Sequence, residues 1–421
     1  MQEIEAAGAG AEAVAGGESR LAVKERPWLF CFLIAPSAVV ANGVIQGGVL
    51  GYMLSQRGVN PGLSSRMIAI LALPTMLYFL WSPMTDFLVR RRTWLLTGAI
   101  TAGVLMAAAF SQKDLQSTTT MLLMLLSACC SQLVVSSCGG IMGTFHSERT
   151  RRTSASFYQA GGLGFGALAT MVLVPISDTG HRFELGLAAG AMIALPALLA
   201  FAAPRQESVG GGSMTETLRK MGREFVETFW RWDAVPYTLV MLFPIGSGAA
   251  ISLVTGVAKN YGVNGAHVAW MNGLGGAVLM GAGSLATMMI PARSRAPVAY
   301  LLLGLTNAAS LCVLWLGPER PETYYLGVTL YLFTVGACYA YFTAVVLEFL
   351  GVSGKSGSGR YSIINSLGNV PVLYMIRLDG WGGDIWGARG VSATECVLGG
   401  VGSAALLAYY LIWGKRRRVE A

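Results

Sequence analysis

The sequence predicts an all-α integral membrane protein whose twelve transmembrane helices fall into two halves of six. Three observations predict it. Of the 421 residues, 54% are hydrophobic and only 12% are charged, with a mean hydropathy of +0.55. A soluble domain carries about a quarter charged residues, so the polar supply here cannot cover a water-facing globule. Apolar stretches of about 20 residues, the length a helix needs to cross the hydrocarbon core, recur along the chain. The 30 Lys and Arg gather in short clusters between those stretches.

The predicted spans run over 28–54, 65–88, 94–111, 118–142, 155–177 and 183–203, then 236–258, 267–290, 296–316, 323–349, 360–377 and 392–413. The expected organisation follows from them. Residues 1–24, rich in Ala, Gly and Glu without periodicity, form a disordered cytoplasmic tail, with no pattern of a cleaved signal peptide. Residues 25–203 form the N-terminal six-helix half, 204–235 a cytoplasmic linker, 236–414 the C-terminal half and 415–421 a basic tail. Within the linker, Leu218, Met221, Phe225 and Phe229 recur at helical spacing among Lys, Arg and Glu, as in an amphipathic helix lying on the membrane surface.

Charge sets the orientation. With both termini cytoplasmic, 22 of the 30 basic residues fall on the inside and 8 outside, which is the sense of the positive-inside rule. The net charge of +8 suits anionic lipid headgroups rather than nucleic acid, because the basic residues sit between apolar spans. The seven Cys and three His show no ligand or framework spacing, so neither a metal, another cofactor nor a disulfide scaffold is expected. No Ser/His/Asp arrangement points to an enzyme, and no Gly-rich phosphate loop points to ATP drive. Pairs such as Gly47 and Gly51, Gly139 and Gly143, and Gly162 and Gly166 allow close helix approach in lipid. Of the prolines inside spans, Pro371 is expected to border a polar cavity because it follows Asn369 in the eleventh span.

The stretch from Leu77 to Leu95 carries the most specific pattern: FLWSP-x-x-D from Phe79 to Asp86, then RRR-x-WLL from Arg90. It resembles the loop between the second and third helices of major facilitator transporters, and most closely the muropeptide-permease branch. RYSIINSLGNVPVLYM, from Arg360, is similar to the eleventh helix of that group and of siderophore-uptake permeases. The resemblance implies the major facilitator fold, alternating access, a bacterial inner (plasma) membrane, and a gate formed by Asp86 with Arg90, Arg91 and Arg92. It also implies cargoes such as anhydro-muropeptides, acyl-CoA-type molecules or siderophores. Two departures stand out. Ser82 occupies a position that is normally Gly, and the matching loop of the second half, IPARSRAP, has no acid.

In that fold the first, fourth, seventh and tenth helices line a central cavity. Polar groups inside spans are costly and hence candidates for function. Asn42 and Gln46 lie four apart on the first span, Gln132 and Ser136 on the fourth, and Asn365 and Asn369 on the eleventh. Tyr339 and Tyr341 stand on the tenth, and Ser247, Ser252 and Thr255 are weaker candidates on the seventh. Such an uncharged, hydrogen-bonding and partly aromatic set suits a neutral polar or amphipathic solute. No Asp or Glu is expected at mid-span, which leaves Glu348, near the cytoplasmic end of the tenth, as the proton-coupling group. Arg377 and Asp379, two apart, mark the external end of the eleventh.

The expected function is secondary active transport of a sugar-peptide, siderophore or similar solute, coupled to protons, by a monomer. The alternative is a non-transporting membrane assembly factor on the same fold, for which a cavity lined only by Leu and Phe would speak.

Overall fold

The computed structural model describes residues 26–77, 85, 89–143, 148–203, 214–232, 234–291, 294–352, 364 and 366–419. The predicted tail 1–24, Asp86 of the predicted gate and Asn365 of the predicted solute path lie outside the described residues. The helices are α1 (Leu29–Gln56), α2 (Pro61–Met76), α3 (Arg91–Phe110), α4 (Thr118–Gly143), α5 (Glu148–Asp178) and α6 (Arg182–Ala197) in the first half. The linker holds α7 (Met214–Phe229). The second half has α8 (Val235–Leu242), α9 (Ile251–Val257), α10 (Gly265–Ala286), α11 (Ala296–Leu316), α12 (Pro321–Val352), α13 (Val370–Trp386) and α14 (Ala388–Val419).

Nine helical stretches among the described residues are long and apolar enough to cross a membrane. The second, seventh and eleventh predicted spans appear there as shorter pieces: α2, the pair α8 and α9, and α13. Large apolar side chains such as Val104, Leu187, Val278, Leu302 and Val401 point outward, as a lipid-facing surface requires. The chain is an integral membrane protein. The last helix continues through Lys415–Arg418 to Val419 instead of ending at 414.

Small residues set the packing. Helix α3 meets α6 where Gly103 and Gly190 face each other's backbone, and α10 meets α12 where Gly283 and Gly336 leave no room for a side chain. The linker helix α7 docks by aromatic contact: Phe229 lies 5.0 Å from Phe225 and 5.9 Å from Phe349 of α12, while Trp230 and Trp232 stay exposed. That is the arrangement of an amphipathic helix at an interface.

The two halves meet chiefly along α1 with α9, α2 with α13, and α5 with α10, and also where α2 touches α9. Glycine again governs. A Cβ on Gly51 would collide with the Ser252 carbonyl, and one on Gly380 with Ser65. Thr255 Oγ1 donates to the Gly48 carbonyl at 3.0 Å, Lys259 Nζ to the Ser55 carbonyl at 2.6 Å, and the Gly62 N–H to Asp384 Oδ1 at 2.8 Å. Arg377 Nη1 donates to Ser65 Oγ at 3.1 Å. All of these bonds lie toward the end of the bundle that carries Arg57, Lys259 and Asp384. That end is closed.

Candidate functional site

Each half contributes one broken helix, α1 in the first and the seventh span in the second. In α1, residues Ala38–Ile45 are wound as a π-helix, with the Gln46 N–H reaching the Ala41 carbonyl at 2.8 Å. The helix then stops at Gly47 and Gly48 and restarts at Val49. Gly48 has φ of +99°, a left-handed conformation that only glycine adopts without strain. In the seventh span the chain leaves the helix at Phe243–Ala250, between α8 and α9. Pro244 has no N–H to give, and Gly246 and Gly248 take φ of +56° and +72°. The Thr255 bond to the Gly48 carbonyl ties the α1 interruption to α9, the helix that follows the seventh-span break.

Backbone at membrane depth must find partners, since lipid supplies none. Three tyrosines from three different helices serve the seventh-span break. Tyr374 O–H donates to the Leu242 carbonyl at 2.7 Å, Tyr300 O–H to Ile245 at 2.7 Å and Tyr339 O–H to Ser247 at 2.9 Å. The N–H side is met by Glu395 of α14. Its Oε2 accepts from the Ala250 N–H at 2.7 Å, its Oε1 from Ser247 Oγ at 2.7 Å, and Tyr331 O–H lies 3.0 Å from both oxygens. The break is thus a built feature, fixed from α11, α12, α13 and α14 together.

The predicted path residues divide into groups. Asn42 sits in the π-segment, exposed, with Nδ2 donating to the Gly162 carbonyl of α5 at 3.2 Å. Gln46 is half-buried at the end of that segment. Tyr339 places its hydroxyl in the seventh-span break while 42% of the residue stays accessible. Asn42 and Gln46 thus lie at the α1 break and Tyr339 at the seventh-span break. Gln132 lies at neither: it is buried between α4 and α2, with Nε2 donating to Thr75 Oγ1 at 3.3 Å. Ser136 is buried on the same helix. Tyr341 packs half-buried against the cluster around Tyr300 and Phe349, and Asn369 is half-buried at the start of α13.

The predicted gate arginines are bound within the first half. Arg91 Nη1 donates to the Gly140 carbonyl of α4 at 2.6 Å, and the Arg92 guanidinium lies 4.9 Å over the Phe201 ring. Arg90 is exposed at the start of α3. Glu348 has both oxygens engaged, accepting from Tyr237 O–H at 2.8 Å and from the Ala296 N–H at 2.9 Å. An acid on the first N–H of α11 is stabilised by the helix dipole. In this conformation that placement makes Glu348 a tie between α8, α11 and α12.

Two expectations from sequence need correction. Acids do stand inside the spans: Glu395 and Asp379 are 2% and 0% exposed. Glu395 falls within the twelfth predicted span, where a carboxyl is a signal in itself, and its place near the start of that span hid it. Pro244, not Pro371, marks the polar break; Pro371 is buried in the first turn of α13, a position where proline leaves no bond unmade.

No protein-family model matches the chain, and no curated protein is similar to it in sequence. Solved structures are similar in fold. A bacterial homologue of the human lysosomal transporter Spinster, in an inward-facing and occupied conformation, superposes with TM-score 0.64 at 13% identity over 92% of this chain and 96% of its own. A D-xylose–proton symporter gives 0.66 at 11% identity over 91% and 96%. A nucleoside transporter gives 0.67 at 11% identity over 92% and 99%. These neighbours are transporters, and the chain has their fold.

Proposed function

We propose that this protein is a secondary carrier that moves a small, neutral, polar or amphipathic solute across the membrane by alternating access, driven by protons. The single observation that carries the proposal is the pair of helix breaks, one from each half, on spans that pack together through α1 and α9. Interrupted membrane helices at the seam of two halves are where carriers hold solute, because unwound backbone and side-chain amides there offer hydrogen bonds away from water. Asn42, Gln46 and Tyr339 supply that chemistry without charge, and an exposed amide at this place speaks against a purely Leu- and Phe-lined assembly factor. A sugar-peptide or siderophore-like cargo suits the donor set and the resemblance to muropeptide permeases.

The basic clusters put both termini on the cytoplasmic side of a twelve-span bundle in a plasma membrane. The closed end is then external, and the conformation opens inward. Asp86 with Arg90 or Arg92 would close the cytoplasmic end against the start of the eleventh predicted span, near Gly359, in the other state. Thermal unfolding of the purified full-length protein with muropeptides, siderophores, CoA esters and sugars tests the reading. A ligand at 100 times its dissociation constant stabilises by about 2.7 kcal/mol. One class should raise the midpoint in wild type and fail to do so in Asn42→Ala; if none does, the carrier reading falls.

A further inference from the structure

Behind the seventh-span break two acids stand in contact, and only one of them has donors. Glu395 receives the Ser247 and Tyr331 hydroxyls and the Ala250 N–H. Asp379, wholly buried on α13, receives none: neither of its oxygens has a hydrogen-bonding partner among the described residues. Gly382, one turn along α13, packs on Thr394 of α14, which sets the Asp379 carboxyl against that of Glu395. Two ionised carboxylates cannot share a dry site, and two acceptors in contact become a hydrogen bond only with a proton between them. The three donors described beside the pair, Ser247, Tyr331 and the Ala250 N–H, point at Glu395. The proton therefore belongs on Asp379.

We propose that Asp379 and Glu395 form a proton-binding site in which the Asp379 O–H donates to the Glu395 carboxylate, and that loading and release of this proton couple the gradient to the external gate. The coupling part rests on the carrier function proposed above. Both sides of the pair lead to that gate. Glu395 holds Ala250 at the head of α9, which packs on α1 through Thr255 and Gly48. Asp379 lies between Arg377, bonded to Ser65, and Gly380, whose Cα sits against Ser65 on α2. Loss of the proton leaves two repelling carboxylates that drive α13 and α14 apart; Glu395 of α14 holds the head of α9 through Ala250, so α13 and α9, which carry contacts of the closed end, shift relative to each other.

The titratable groups around the pair are few. From α12 they are Tyr331, Tyr339 and Cys338; from α14, Cys396 beside Glu395. On α13 itself Arg377 turns to α2, α9 has no titratable side chain, and the one on α2, Arg66, is exposed. No cation stands within this set to neutralise a second carboxylate.

Infrared spectra of the full-length protein in detergent test the site without any solute. Wild type should show a protonated-carboxyl C=O band that is lost in Asp379→Asn and kept in Glu348→Gln. A wild-type band unchanged in Asp379→Asn, or absent in all three, overturns the proposal. Should Asp379→Asn not fold, wild type alone serves, through N,N′-dicyclohexylcarbodiimide, which adds to protonated carboxyls in apolar surroundings. Mass spectrometry should find the adduct on Asp379. An adduct on Glu348 with none on Asp379, or protection of Asp379 by sodium but not choline, rejects it. A band at Asp379 in a protein that no solute class stabilises keeps the proton site while removing the carrier reading.

Discussion

Glu395 accepts the backbone N–H of Ala250 from a helix 145 residues away, at 2.7 Å. That bond holds the second half of a broken membrane helix against the last one. Its counterpart on the carbonyl side is the set of three tyrosines, so the bond belongs to a scheme that satisfies an interrupted backbone where water is absent. The seam between the halves is built from that interruption and from the one in α1.

Removing single hydroxyls from the tyrosines should cost modest stability. Side-chain hydrogen bonds between membrane helices average about 0.6 kcal/mol and reach about 1.7. Tyr300→Phe and Tyr374→Phe should each fall in that range by reversible denaturation in bicelles. Tyr300 is buried against the Ile245 carbonyl, so its replacement should cost at least as much as that of the part-buried Tyr374. A neutral result for both would mean that water reaches the break.

Enlarging Gly51 should hold the external end open. A Cβ there meets the Ser252 carbonyl directly, and Val adds two more carbons to that overlap. In Gly51→Val, a cysteine introduced at Thr255, whose hydroxyl is buried against Gly48 in the closed end, should react with an external membrane-impermeant maleimide much faster than the same cysteine in the Gly51 background. Equal rates would place the closure elsewhere.

Asn42 and Gln132 should separate by phenotype. Asn42→Ala removes an amide at the α1 break and should weaken binding of the stabilising solute by about 1–3 kcal/mol, the cost of a lost buried hydrogen bond. Gln132→Ala removes a tie from α4 to Thr75 of α2 and should lower unfolding stability while leaving that affinity within twofold. Isothermal titration paired with denaturation reads both; a loss of affinity in Gln132→Ala larger than in Asn42→Ala would return Gln132 to the solute path.

Topology follows from charge alone. A reporter fused after Arg418 should be active in its cytoplasmic form and one at Lys113 in its external form, given 22 basic residues inside and 8 outside. External activity at the C-terminus would invert every assignment of outer and inner end made here.

Composition and span length determined that this chain lives in lipid as a helical bundle, because a sequence with 12% charged residues has no other way to solvate its surface. The charge clusters and the surface helix between the halves were legible for the same reason: both are local patterns. Single polar residues were not so readable. Asn42 and Gln132 look alike in sequence, an amide in an apolar span, yet one borders the seam and the other ties two helices within a half. Glu348 and Glu395 are likewise both acids near span ends. Only the tertiary structure decided that Glu348 caps α11 while Glu395 and Asp379 meet in the interior. The physical reason is that a buried group's role depends on which donors converge on it, and those donors come from helices far apart in the chain.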